Sequence, residues 1–548
     1  MTTTTDVRLF AYRQGPLRTA LAELTPGSDT DSTTSTLPPA RARGSRGRPL
    51  PAGTHRLLAD APYPQPLPAD ALATLGPGDL AGHLLVCALG LQRREPSHHF
   101  NDHRAIASVR SKFPVHAFVL APDGSRAYLD IYRHALIDLQ DDADVSDNAD
   151  NADNSDGSDN ADGGGDLAEL LPAPGDLTVV LAARYTDLPV DYGRLRCTLS
   201  LLELGINLRA LHTAADLLGV PVRLRSDAAL TRAAGRLLEY GGPGAWSPPL
   251  VVTLEGAGPL PSSRPLPGTD GFGDAEQHAR ECGLLREQSG QELVREADAV
   301  TAPLAALSCG AGEPVRSVPD LAGREPAEHR PAEREPAGQD AGPARPDWAR
   351  TLWNRSAGRT RAGLLGFSAR PAVLGAEFLR DTLAWLDRPA PGPLLPEVGR
   401  RVLTRVVLQR TAGLPTGRYA VARGHVECEQ QDSDLMRRFA DAFGYPLTPA
   451  VDCGLRHANA VWVFAADLDG ILAEFGPAGW SLLQLWCGWA THGLTTAAAA
   501  HGLFARPARS FGEFWLQRTL DLPRSTFPVF TVICGRSRFS EPVLDLRV

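Results

Sequence analysis

Runs and alternations of apolar residues divide the chain into elements that recur. Val115 to Leu120 and Ala127 to Ile131 read as paired strands about the turn Pro122-Asp123-Gly124-Ser125. Leu177 to Ala182 is an apolar run of strand length. Leu199 to Leu218 is too long for a strand and apolar nearly all round, and it stops at Gly219. That pattern predicts a buried helix closed by a left-handed glycine. The same order returns later: strands over Val402 to Gln409 and Val461 to Ala465, a helix over Ser481 to His501 before Gly502, and a last strand over Val529 to Cys534.

The recurrence extends to residue identities. Residues 191–219 align with 474–502 at a constant shift and without a gap. Gly193 meets Gly476, Leu199 meets Leu482, Leu202 meets Leu485, Gly205 meets Gly488, and Leu211 meets Leu494. Thr213, Ala214, Ala215 and Gly219 meet Thr496, Ala497, Ala498 and Gly502. Tyr128 and His134 are echoed by Tyr419 and His425 at the same separation. We therefore expect a tandem duplication, a pseudo-dimer on one polypeptide.

Three stretches have too little apolar surface to offset chain entropy. Residues 26–53 are rich in Thr, Ser, Pro, Arg and Gly, 141–166 repeat Asp, Asn, Ala, Ser and Gly, and 310–346 are rich in Pro, Glu, Arg and Gly. The expected division is an N-terminal segment over 1–69, a first copy over 70–255 carrying the acidic insertion, a linker over 256–346, and a second copy over 347–548. The overall class is α+β, an antiparallel-rich sheet flanked by long buried helices.

Composition narrows the function by exclusion. A formal net charge of -9 with no basic stripe argues against nucleic acid as a partner. No apolar run has the length of a membrane span, and no signal peptide is read at the start, so a cytoplasmic location is expected. The eight cysteines contain no C-x-x-C pair, and His98-His99 with nearby Asp102 and His103 do not make a ligand set of suitable spacing, so no metal is expected. Trp480, Trp486 and Trp489 fall at helical spacing and read as core, and His492 and His501 as buried, satisfied histidines. Among the 55 basic Lys and Arg residues Lys112 is the single lysine. Either a compact three-donor ammonium is needed there, or it is a residue left over in an arginine-biased composition.

Taken together, three features resemble the nitroreductase-like FMN flavoproteins. They are the Gly-x5-Leu-x2-Ala-Ala-x3-Gly helix, the Ser-x5-Pro loop Ser108 to Pro114 upstream of it, and an Arg-Ser pair near the start of a copy. The branch most similar is the one that dehydrogenates azolines in ribosomally made peptide natural products of the microcin and thiopeptide type. The resemblance runs through Arg104 to Val119, Gly124 to Leu139, Val190 to Gly219, Arg405 to Tyr419 and Gly476 to Gly535.

It implies FMN held between the two copies. In the first, Ser108, Arg110, Ser111 and Lys112 would lie along the flavin's pyrimidine edge. There Lys112, with Arg110 as its competitor, would stabilise the charge of the reduced ring. In the second, Arg355, Ser356 and Arg359 are similar to the cluster that grips the FMN phosphate, Arg536 to a terminal phosphate partner, and Arg509 and Ser510 to a loop near flavin N5. One working FMN per chain is implied, because the second copy shows no counterpart of the Ser-x5-Pro loop.

The branch's Lys-Tyr-Gly signature reads Asp191-Tyr192-Gly193 in the first copy and Glu474-Phe475-Gly476 in the second. A carboxylate in place of the lysine would raise the tyrosine's pKa. Three alternatives stand: Asp191 is the base, Tyr192 works with Lys112 or an arginine brought in by folding, or activity is reduced. The implied substrate is a precursor peptide, with cyclodehydratase proteins as partners. A NAD(P)H-dependent flavin oxidoreductase and a flavin-free scaffold are the other readings.

Overall fold

The computed structural model describes residues 4–5, 55–57, 75–76, 78–95, 102–132, 134–139, 167–188, 192, 195–238, 246–262, 310–311, 315–319, 347–360, 365–422, 424–441, 443, 451–540 and 543–546. The stretches 26–53 and 141–166, the pair His98-His99 and Asp191 lie outside the described residues.

Two antiparallel sheets carry the chain. The first is built from β1 (His55–Leu57), β2 (Val115–Leu120), β3 (Arg126–Asp130), β4 (Ala135–Asp138), β5 (Leu177–Ala183), β6 (Val222–Ser226), β7 (Leu250–Leu254) and β8 (Gly310–Ala311), in the order β1-β4-β3-β2-β5-β7-β6-β8. The second contains β9 (Ala369–Arg370), β10 (Val402–Leu408), β11 (Gly417–Ala422), β12 (His425–Gln431), β13 (Ala460–Asp467), β14 (Phe504–Ala508) and β15 (Thr526–Ser537). Its order is β9-β15-β13-β10-β11-β12, with β14 also paired to β15. Six strands of each sheet therefore follow one another in the same spatial order, β4-β3-β2-β5-β7-β6 answering to β12-β11-β10-β13-β15-β14.

Each sheet sends out one long helix from the corresponding place, α1 (Leu195–Leu217) after β5 and α2 (Gly479–Ala500) before β14. Both are buried almost throughout, as helices with no polar face must be. Both end alike: Gly219 and Gly502 take φ of 72° and 65°. The next residue then bonds back, Val220 N–H to Ala215 O at 2.8 Å and Leu503 N–H to Ala498 O at 2.9 Å. This is the six-to-one closure that a left-handed glycine permits.

The helices cross at their glycines. A Cβ on Gly205 would stand 2.1 Å from Leu485 O, and one on Gly488 would stand 2.0 Å from Leu202 O. The sequence repeat equates Gly205 with Gly488 and Leu202 with Leu485, so the contact is reciprocal, as a two-fold interface requires. One apolar cluster runs through both halves, including Leu85, Val179, Leu202, Val252, Leu485, Trp489 and Val529. A buried cation rivets the crossing. Arg209 donates to Trp489 O at 2.9 Å and Trp385 O at 2.6 Å, and lies 4.9 Å and 5.2 Å from the centres of those two rings.

The stretch expected to pack nowhere over 310–346 does pack at its start. β8 pairs with β6, and the Ser317 and Val318 N–H groups donate to Asp216 at the end of α1. Near the chain's other end, Leu544–Asp545 pairs with Leu91–Arg94 of the first half. Among the described residues no helix is long and apolar enough to cross a membrane.

Candidate active site

A cavity of about 440 Å³ opens where the two halves meet. That is within the roughly 300–1,000 Å³ typical of small-molecule and cofactor sites. Ile106, Leu195, Leu199, Leu202, Ile206 and Phe530 give it apolar walls. Its polar groups come from both halves: Ser108, Arg110, Ser111, Tyr192 and Glu203 from the first, Arg355, Arg506, Arg509 and Ser510 from the second.

The 108–113 loop is held in a conformation that side chains resist. Arg110, Ser111 and Phe113 have φ of 49°, 53° and 48°. Left-handed backbone at non-glycine residues costs on the order of 1–3 kcal/mol each and persists only where its surroundings impose it. The restraint is Glu203 of α1, which is 1% exposed. Its carboxylate accepts from Val109 N–H at 2.7 Å and from the Ser108 hydroxyl at 2.8 Å, and Phe113 N–H donates to Ser108 Oγ at 2.9 Å. Burial pushes the Glu203 carboxyl up to about 8, against the opposing pull of Val109 N–H, Ser108 and the Arg104 charge.

The loop sets the Arg110 guanidinium 5.0 Å from the centre of the Tyr192 ring. Lys112 does not line the cavity; it closes the short turn with its N–H on Val109 O at 3.0 Å. Of the two cations weighed for this place, Arg110 lines the cavity and Lys112 does not. The reason is geometric: with left-handed backbone at two successive residues, Arg110 and Ser111 face the cavity while the next residue turns away from it.

From the second half, Arg355 and Arg509 line the cavity while Ser356, Arg359 and Arg536 do not. Ser356 Oγ accepts from Gly358 N–H at 3.2 Å. Arg359 is committed elsewhere, forming a fork to Glu95 at 2.8 and 2.7 Å. Burial alone would raise the Glu95 carboxyl; Arg359, His103 and Arg93 instead hold it well below the usual carboxylate range. Arg536 lies on β15 opposite Arg370, away from the cavity wall.

Arg355 donates to Arg104 O at 3.0 Å, and burial together with the neighbouring Arg93 charge lowers its guanidinium to about 9. Arg509 is 5% exposed; one terminal nitrogen bonds Glu513, and its Nε and Nη1 have no hydrogen-bond partner among the described residues. Buried donors of this kind call for an acceptor, and a cavity wall is where a ligand supplies one. Arg355, Arg506 and Arg509 thus put three guanidinium side chains on one cavity. That donor set suits phosphate or the polar edge of a planar heterocycle.

The corresponding place in the other half is built differently. Opposite Tyr192 the repeat has Phe475, and opposite Glu203 it has Trp486. The Trp486 indole lies directly against Gly399 and meets Phe464 edge-on, with ring centres 5.4 Å apart. Trp480 and Trp489 are core, as expected, and His501 bonds Asp381 at 2.9 Å. His492 is buried as expected, but neither of its ring nitrogens has a hydrogen-bond partner among the described residues.

Sequence reasoning missed Glu203, Arg104 and Arg506. Glu203 had a legible signal, a lone carboxylate in the all-apolar run Leu201-Leu202-Glu203-Leu204. Arg104 and Arg506 had none, being two arginines among many.

No family model matches the sequence, and no curated protein does. Among solved structures, a candidate nitroreductase from Anabaena variabilis superimposes on 98% of this chain and 100% of its own, with a TM-score of 0.58 and 13% identity. The chain has the nitroreductase fold. Shorter stretches superimpose on a second candidate nitroreductase, from Ralstonia eutropha, over 38% of this chain and 89% of that one (TM-score 0.27, 20% identity). They also superimpose on the E. coli microcin synthetase McbBCD complex with truncated pro-MccB17 bound, over 39% and 79% (TM-score 0.27, 11% identity). Identities this low carry fold and not activity.

Proposed function

We propose that the chain is an FMN-dependent oxidoreductase that dehydrogenates thiazoline or oxazoline rings in a ribosomally made precursor peptide. The observation that carries this reading is the composite cavity, which joins the Ser108–Phe113 loop and Tyr192 of one half to Arg355, Arg509 and Ser510 of the other. The fit to FMN rests on its size, its apolar walls and the unpartnered Arg509 donors.

When bound, FMN supplies the acceptor for a hydride. The chain's residues do the rest. Arg355, Arg509 and Ser510 would hold its phosphate and polar groups, and Arg110 with Ser111 would stabilise the negative charge of the reduced ring. The azoline carbon loses a hydride and its neighbour a proton, so the ring gains one double bond and becomes aromatic. We assign the proton to Tyr192, whose ring centre lies 5.0 Å from the Arg110 guanidinium. This takes up the alternative in which an arginine brought in by folding replaces the missing lysine. The peptide's cyclodehydratase proteins are the expected partners.

The test is turnover of an azoline-containing peptide, followed as loss of two hydrogens per ring by mass spectrometry. Conversion without added nicotinamide supports the reading. A flavin-loaded chain that reduces nitroarenes or quinones with NAD(P)H and leaves azolines intact would overturn it in favour of a general flavin oxidoreductase.

A further inference from the structure

We propose that Glu203 is a positioning residue: its buried carboxyl group locks the 108–113 loop in its left-handed path and so places Arg110 over Tyr192. The functional consequence rests on the flavin reading given above, but the restraint itself does not.

The geometry is that of a latch. One carboxylate oxygen accepts from Val109 N–H at 2.7 Å, and both stand within 3.0 Å of the Ser108 hydroxyl. Ser108 passes the restraint on, since its Oγ accepts Phe113 N–H at the far end of the loop. Three non-glycine residues with positive φ lie between those anchors or at them. Such backbone relaxes unless over-determined, and Glu203 is the side chain that meets both Ser108 and Val109. α1 is a rigid platform for it, because Gly205, two residues on, is clamped against Leu485 of α2. Arg104 packs against the loop's far end, lying 5.1 Å from the centre of the Phe113 ring and donating to Asn207 Oδ1 of α1 at 3.2 Å.

A space-filling role and a latching role predict different outcomes for a substitution that keeps volume. Glu203→Leu keeps the bulk and removes both acceptors, while Glu203→Gln keeps one acceptor for Val109 N–H and offers Ser108 a donor. Hydrogen–deuterium exchange of the full chain, read on the peptide 107–114, separates the two. The latch predicts that Glu203→Leu raises exchange there by about tenfold or more while residues 460–467 stay protected. It also predicts that Glu203→Gln largely restores protection. Ser108→Ala, at a half-exposed residue, should loosen the same peptide, and combining it with Glu203→Leu should add little, as expected for two groups acting as one unit.

Unchanged exchange in Glu203→Leu overturns the proposal. Should that variant not fold, unchanged exchange in Ser108→Ala does so. With FMN present, Glu203→Leu should lower turnover at saturating cofactor, and Glu203→Gln should recover it. A wild-type chain that binds no FMN defeats the flavin reading, and the exchange experiment still decides this one.

Discussion

Tyr192 and Arg110 carry the chemistry in this account, and their pairing sets a prediction. Tyr192→Phe removes the proton acceptor without disturbing the arginines that hold the cofactor. Turnover should fall by about 10²-fold or more, as for loss of a positioned acid–base group, while flavin content stays that of the wild type. A turnover rate within a factor of a few of wild type would return the role to Asp191. Two carboxylates, Glu203 and Glu95, make opposite contributions to stability. Glu203 has a folded pKa of about 8 against a usual 4.5, so the folded state binds the extra proton between those values. Stability therefore falls as pH rises from about 4.5 to about 8, and Glu203→Gln should flatten that slope. Glu95 is depressed, so its contribution is present above 4.5 and is lost as pH falls below it. Denaturant midpoints measured from about pH 2 to about pH 9 report both windows.

At the scale of elements, the helix crossing is the feature most exposed to test. Neither Gly205 nor Gly488 has room for a Cβ, because a backbone carbonyl of the other helix stands in the way. Gly205→Ala and Gly488→Ala should each destabilise by about 1–3 kcal/mol, and by similar amounts, since the contact is reciprocal. Chemical denaturation checks this; a neutral pair would mean the helices can separate freely. These helices were the most legible part of the sequence. A long run with no polar face and a glycine stop reads as a buried helix, so Gly219 and Gly502 marked the ends to within a residue.

Other elements were illegible for equally physical reasons. β12 is exposed along most of its length and has polar residues on both faces, so no alternation marks it. The buried helix Asp79–Leu89 is a short apolar run that periodicity cannot separate from a strand. At the site, the Ser-x5-Pro loop was found from its residue types. The choice of Arg110 over Lys112 depended on left-handed backbone, which no composition or spacing encodes.

The whole molecule repeats one sheet topology and one helix, yet its two interface positions have different residues. Where one half has Tyr192 and Glu203, the other has Phe475 and Trp486, and a bulky indole stands in place of the carboxylate that latches the loop. The arginines that complete the cavity come from the half that lacks the loop. The cavity thus draws its polar groups from both halves. The measurement that tests this most directly is the visible spectrum of the purified chain, with FMN quantified after release by heat. The account predicts about one FMN per chain. Two per chain would contradict the asymmetry of the interface, and none, even after incubation with excess FMN, would contradict the flavin site itself.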